Sequence, residues 1–357
     1  MRSNDWWVGL CATAFLTACA AGMSAQAGST ANPAAGANAN TIAGQIAAGK
    51  AAAGNTWIGL FGEMCGGAMG AGGRASSILP PAGADSAAGR GRGRQAGPPP
   101  REQWYHDPVK MFDNVYGFST DDVMSMAITT SAGIILIDAT YDYSVKDLIV
   151  DAMPKVGLDP KDIKYAVITH FHGDHLAGAK YLQDNFGTRI VMSDTDWAAA
   201  AQPSRGGLPA APTARKDMIA TEGQQLTLGD TTITLYSTPG HTAGTTSMII
   251  PVKDKGVTHY AALWGGTSIS TSSPYDLLVG YTASARKMRD LAARAGADVI
   301  LSPHGRVIEF FKRANSVYLF PSGANPFIEG RNEVKNFFDM AEHCSQAVTM
   351  AQTAAKK

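Results

Sequence analysis

Apolar residues are sparse before about residue 104 and regularly spaced after it. In the second stretch, runs rich in Val, Ile, Thr, Tyr and Phe predict strands over 112–118, 123–130 and 134–138, divided by Ser119-Thr120-Asp121-Asp122 and Ser131-Ala132-Gly133. Val145, Leu148, Ile149 and Met153 fall on one side of a helix, so 144–156 is expected to be helical. A short apolar run at 165–169 reads as a buried strand. Helices are predicted over 176–185 and 194–201, on either side of a strand at 189–193. Further strands are expected at 225–228, 231–238, 245–252, 257–264 and 298–302, with helices over 282–295 and 330–350. Strands in two groups, each followed by helices, predict two sheets packed face to face with helices outside.

The first hundred residues have another character. Residues 1–27 read as an export signal: Arg2, an apolar stretch over 6–18, then small residues ending in Ala25-Gln26-Ala27. Leu16-Thr17-Ala18-Cys19 offers a second cleavage reading, a lipobox that would place a lipid anchor on Cys19. The first reading gives a periplasmic or otherwise exported protein and the second an outer-membrane lipoprotein. Residues 28–103 are rich in Ala, Gly and Pro, a composition with little apolar surface to offset the entropy of ordering, and are expected to form a disordered extension. Within it, 56–61 is apolar enough to dock on the body. The leader contains Cys11 and Cys19, which leaves Cys65 and Cys344. In an oxidising compartment they can form one disulfide, or stay two separate buried thiols. The remaining 104–350 is expected to be one catalytic domain.

Thirty basic against 30 acidic residues exclude bulk electrostatic steering to nucleic acid. The run Arg90-Gly91-Arg92-Gly93-Arg94 is accordingly read as solvated linker. A small-molecule substrate and a monomeric chain are expected.

Candidate chemistry is concentrated in His170-Phe171-His172-Gly173-Asp174-His175. Residues two apart at the end of an extended strand point the same way, so His170 and His172 can present two imidazoles to one cation. Asp174 and His175 then emerge at the start of a helix, displaced enough to serve a second cation. His241 in Pro239-Gly240-His241-Thr242 and His304 in Pro303-His304-Gly305 each follow a predicted strand. His106, His259 and His343 have no such setting and are expected to play no part. Imidazole and carboxylate without nearby cysteine suit zinc, and by ligand type also admit iron or manganese.

This set of residues resembles the metallo-β-lactamase superfamily over most of 110–350. The resemblance implies an αββα sandwich with two Zn2+ ions along one edge, and gives Asp138, after Ile135-Leu136-Ile137, a supporting place behind the metals. Many members carry a bridging aspartate in a Gly-Asp-Thr segment. This chain has Leu263-Trp264-Gly265-Gly266-Thr267 there, with Gly266 in the aspartate's place and no ligand cysteine at Thr267 or Ser268. The remaining set, His170, His172 and His241 for one zinc and Asp174, His175 and His304 for the other, is most similar to the third subclass of class B β-lactamases.

That likeness implies an exported hydrolase that opens a β-lactam ring with a hydroxide supplied by the zinc pair and oriented by Asp174. It also implies that serines of the loop after Trp264, Ser268 and Ser270 foremost, receive the substrate carboxylate. Two other readings stand beside it: a related periplasmic hydrolase of another cyclic ester or amide, lactonase-like, and a non-catalytic metal-binding protein of the same fold. The loop at 202–214 is read either as a lid or as a tolerated insertion.

Overall fold

The structure, a computed structural model, describes residues 38–69, 98–202 and 213–356. The leader with Cys19, the Arg/Gly run at 90–94 and most of the 202–214 loop lie outside the described residues.

Seven strands form the first sheet in sequential order: β1 (Val109–Phe112), β2 (Val115–Ser119), β3 (Met124–Thr130), β4 (Gly133–Ile137), β5 (Ile163–Val167), β6 (Arg189–Ser193) and β7 (Met218–Ala220). The first four pair antiparallel and the last four parallel. The single strand predicted over 112–118 is a hairpin instead. Asn114 in its turn binds the other sheet, accepting from Lys253 N at 2.7 Å and donating to the Pro251 carbonyl at 3.3 Å, and this long-range pairing has no local signature. The second sheet has five strands: β8 (Gln224–Leu228), β9 (Thr231–Ser237), β10 (Thr246–Asp254), β11 (Val257–Leu263) and β12 (Val299–Leu301), in the order β12-β11-β10-β9-β8.

Two-residue periodicity gives the first sheet two buried faces. Ile135 and Ile137 enter one core with Leu235, Met248 and Ile250 of the second sheet. Ile134 and Leu136 enter another core on the opposite face, with Leu148, Ile149 and Leu182.

Two helices precede the sheets, α1 (Ile42–Ala53) and α2 (Ile58–Gly66). They correct the reading of the whole 28–103 stretch as unstructured. Alanine is the best helix former, and Thr41 caps α1 by accepting from Gly44 N at 3.0 Å. Small residues then allow close approach to the carboxy-terminal helix: a Cβ at Gly49 would lie 3.2 Å from Cys344 Sγ. The apolar 56–61 segment docks as expected, with Trp57 buried and donating Nε1–H to the Glu333 carbonyl at 3.0 Å. A disulfide joins Cys65 of α2 to Cys344.

Within the body, α3 (Gly173–Leu176), α4 (Ala179–Phe186) and α5 (Asp194–Ala200) follow β5 and β6. The predicted helix at 144–156 is two short pieces, a π-helical Lys146–Val150 and a 3-10 Met153–Val156. The second sheet is covered by α6 (Tyr275–Ala295) and α8 (Arg331–Ala354). Between them lies α7 (Phe310–Leu319), which the sequence reading passed over. It is pinned by a buried ion pair between Arg313 and Glu329.

At one edge the two sheets are joined by backbone hydrogen bonds, Thr246 N to Thr169 O at 2.8 Å and Met124 N to Pro303 O at 2.9 Å. The segments leaving β4, β5, β9, β11 and β12 all meet there.

Candidate metal centre

Two groups of three potential ligands stand at this edge: His170, His172 and His241, and Asp174, His175 and His304. Within each group the ligand atoms all lie within 4.8 Å of one another. The three histidines expected to take no part are occupied elsewhere: His106 with Asp121, His259 with Asp298 and His343 with Gln45.

Each candidate ligand histidine but His172 is held from behind, which fixes its tautomer and leaves the other ring nitrogen for a metal. His170 Nδ1 donates to the Gly265 carbonyl at 3.0 Å, and His241 Nδ1 to the Ser268 carbonyl at 2.6 Å. His175 Nδ1 donates to Asp138 Oδ2 at 2.8 Å, and His304 Nδ1 to Asp122 Oδ2 at 3.1 Å. In front, His241 Nε2 lies 3.0 Å from His172 Nδ1, and His175 Nε2 lies 3.3 Å from Asp174 Oδ2. His170 and His175 are fully buried, yet their Nε2 atoms have no hydrogen-bond partner in the protein. Buried polar atoms left unpaired are costly, and a cation at each group satisfies both. The donor set therefore fits a metal centre.

Electrostatics match that use in the first group, whereas in the second burial is outweighed by Asp174 and Asp138, which raise the His175 ring to about 10, so that a metal must displace its proton. Burial and neighbouring imidazoles lower the His170 ring well below its ordinary range, and burial with His172 lowers His241 to about 4, so both are neutral donors at pH 7. Burial alone would raise Asp174, but His175 and His304 outweigh it and keep the carboxylate ionised.

Residues 120–304 match the family model described as the metallo-beta-lactamase superfamily. The chain belongs to that superfamily. Among solved structures it is similar to BJP-1, a subclass B3 metallo-β-lactamase of Bradyrhizobium japonicum, at 27% identity and a TM-score of 0.61. That alignment covers 71% of this chain and 98% of BJP-1. A hydroxyacylglutathione hydrolase of Acidiphilium cryptum (strain JF-5) is 35% identical over 82 residues, 23% of this chain and 28% of that protein's length. The acyl-coenzyme A thioesterase MBLAC2 of Gallus gallus is 25% identical over 196 residues, 48% of this chain and 67% of its own.

Against the superfamily's bridging aspartate, Gly266 has a physical reason. A Cβ there would lie 2.5 Å from His241 Cβ and 2.9 Å from its Cγ. The residue that would carry a bridging carboxylate is instead the surface on which His241 rests. Gly266→Ala is expected to push the imidazole out of register and weaken metal binding at the first group about tenfold or more, read by isothermal titration. Unchanged affinity would show that His241 has room to yield.

Several supporting residues escaped the sequence reading. Asp196 of α5 is buried, accepts from Phe171 N at 3.0 Å and Thr242 Oγ1 at 2.8 Å through Oδ2, and accepts from Gly244 N at 2.9 Å through Oδ1. It joins the two ligand-bearing loops. Asp122, within a segment read only as a strand divider, holds His304. Arg306 pairs with Asp122 and with Glu63 of α2. These contacts span 25 to 243 positions in sequence, so spacing could not reveal them.

Ser268 and Ser270 are exposed on the loop after β11, as expected. The Ser270 hydroxyl is engaged locally with Ser272 Oγ at 2.7 Å, while the Ser268 carbonyl supports His241 and its hydroxyl lies 3.4 Å from Glu63 Oε1. Trp264 is fully buried and donates to Tyr281, whose hydroxyl donates in turn to the Thr267 carbonyl at 2.8 Å. The segment leading to the serine loop is thereby anchored to α6.

Proposed function

We propose that this chain is an exported dinuclear zinc hydrolase that opens the β-lactam ring. The observation that carries the reading is the donor set itself: three histidines in one group, an aspartate and two histidines in the other, and a glycine that leaves no room for a bridging carboxylate. Likeness to BJP-1 over nearly the whole of that chain supports it. The Cys65–Cys344 disulfide supports an oxidising compartment.

His170, His172 and His241 would hold one ion, and Asp174, His175 and His304 the other. When bound, such ions polarise a scissile carbonyl and bring the pKa of a water to about 7, supplying the nucleophile. The residues of the chain then set its direction. Asp174, ionised and three-quarters shielded from solvent, accepts a hydrogen bond from the attacking water and aligns it. Asp138 and Asp122 keep His175 and His304 in one tautomer. Ser268, exposed on the loop after β11, would meet a polar group at the substrate's far end.

A second reading, hydrolysis of another ester or thioester, is favoured by the two curated relatives, named as a hydroxyacylglutathione hydrolase and an acyl-coenzyme A thioesterase. A panel of a penicillin, a carbapenem, an acyl lactone and an acyl thioester separates them. Ring opening of a lactam that stops with chelator and returns with zinc is expected. Turnover of the esters alone would sink the lactamase reading, and turnover of none would favour the non-catalytic one.

A further inference from the structure

The helix α2 does more than cover the body. Its disulfide to α8 and the Trp57 anchor fix it against the mouth of the metal centre, where a Cβ at Gly67 would stand 3.7 Å from Thr271 N of the serine loop. From that position it delivers Glu63. One carboxylate oxygen accepts from Arg306 Nη2 at 2.8 Å and the other from Arg306 Nε at 3.0 Å, a two-pronged pairing. The first oxygen also lies 3.4 Å from the Ser268 hydroxyl. Glu63 thus touches a residue behind each ligand group: Ser268, whose carbonyl holds His241, and Arg306, which shares Asp122 with His304.

We infer that Glu63 is a specificity-determining residue that disfavours substrates presenting a carboxylate at the Ser268–Arg306 rim and favours those with an uncharged or cationic group there. Two donors that could receive an anion are already spent on it. Arg306 lies between two carboxylates, Glu63 and Asp122, so its cationic charge is more than balanced. Glu63 is one-third exposed. The inference rests on the proposed function in placing the far end of the substrate at the serine loop. It adds that a lactam carboxylate placed there meets a resident rival.

The test uses zinc-loaded full-length protein and needs no turnover. Benzoate, a simple carboxylate, and benzamide, its neutral counterpart, are titrated calorimetrically against the wild type, Glu63→Gln and Glu63→Asp. Glu63→Gln keeps the shape and an oxygen for Arg306 but removes the charge. It is expected to bind benzoate about threefold to tenfold tighter than wild type, with benzamide binding changed less than twofold. Glu63→Asp keeps the charge and should stay weak toward benzoate. The Glu63→Gln gain should shrink as salt rises from about 0.05 to 0.5 M, because the removed repulsion is screened. Equal gains for benzoate and benzamide, or none, would overturn the inference, since a merely structural role of Glu63 does not distinguish charge. Failure of the lactamase reading is separate: it shows as no lactam turnover in the wild type, whatever benzoate does.

Discussion

His241→Ala is expected to lose one metal equivalent by elemental analysis and to reduce hydrolysis about a thousandfold or more. The side chain sits at the rim of the site, after β9, and contributes to no buried apolar cluster, so its removal leaves the sandwich intact. What it does contribute is specific. Nδ1 is fixed on the Ser268 carbonyl and Nε2 faces His172, so the ring has one nitrogen free for a cation and little freedom to turn. Burial keeps the imidazole neutral, with a pKa of about 4, and it gives up no proton on binding at pH 7. Without it, the first group retains only His170 and His172, too few for a stable tetrahedral ion. The second group shares no residue with the first and should keep its metal. A metal acting as Lewis acid is worth several kcal/mol in the transition state; about 4 kcal/mol corresponds to roughly a thousandfold. Two equivalents retained, or more than a tenth of the activity, would show that the ligand assignment is wrong.

The parts of this site that were legible in sequence are those a local rule controls. His170 to His175 occupy a strand end and a helix start, where side-chain direction follows from spacing, and all six candidate ligands named from the sequence meet at one edge. The central strands were legible for a related reason: Ile134 to Ile137 form a short continuous apolar run, the pattern of a strand buried on both faces. What was not legible depends on distant partners. Residues 42–53 have an alanine-rich composition with no marked apolar face, and their helix persists because α8 receives it and the disulfide fixes α2 beside it. Phe310, which begins α7, packs over Gly117, where a Cβ would lie 2.7 Å from its ring. Glu63, Arg306 and Asp122 are ordinary charges until the fold places them together. The histidine motif names the place of the candidate ligands, whereas the contacts among Glu63, Arg306 and Asp122 join segments that sequence order keeps apart.

Asp138→Ala is expected to be the most damaging change that replaces no candidate metal ligand. Asp138 is fully buried and terminates β4 at φ 59°, a left-handed conformation that aspartate tolerates better than alanine. Its Oδ1 accepts from Thr169 N at 2.7 Å, and its Oδ2 from Thr169 Oγ1 and His175 Nδ1, each at 2.8 Å. One carboxylate therefore shapes the strand exit that leads to His170 and holds the tautomer of His175. Truncation leaves a buried N–H and a buried imidazole without acceptors, at about 1–3 kcal/mol each, and adds backbone strain. A loss of about 3–5 kcal/mol in denaturant unfolding should follow, with metal affinity at the second group lowered about tenfold to a hundredfold. Asp138→Asn separates the two effects. Asparagine suits the left-handed backbone and keeps one acceptor, but its NH2 must face either Thr169 N–H or His175 Nδ1–H. Stability should recover in part while second-group affinity remains low. If both variants unfold within about 0.5 kcal/mol of wild type, the aspartate is only a strand-end residue, and the orientation of His175 must come from elsewhere.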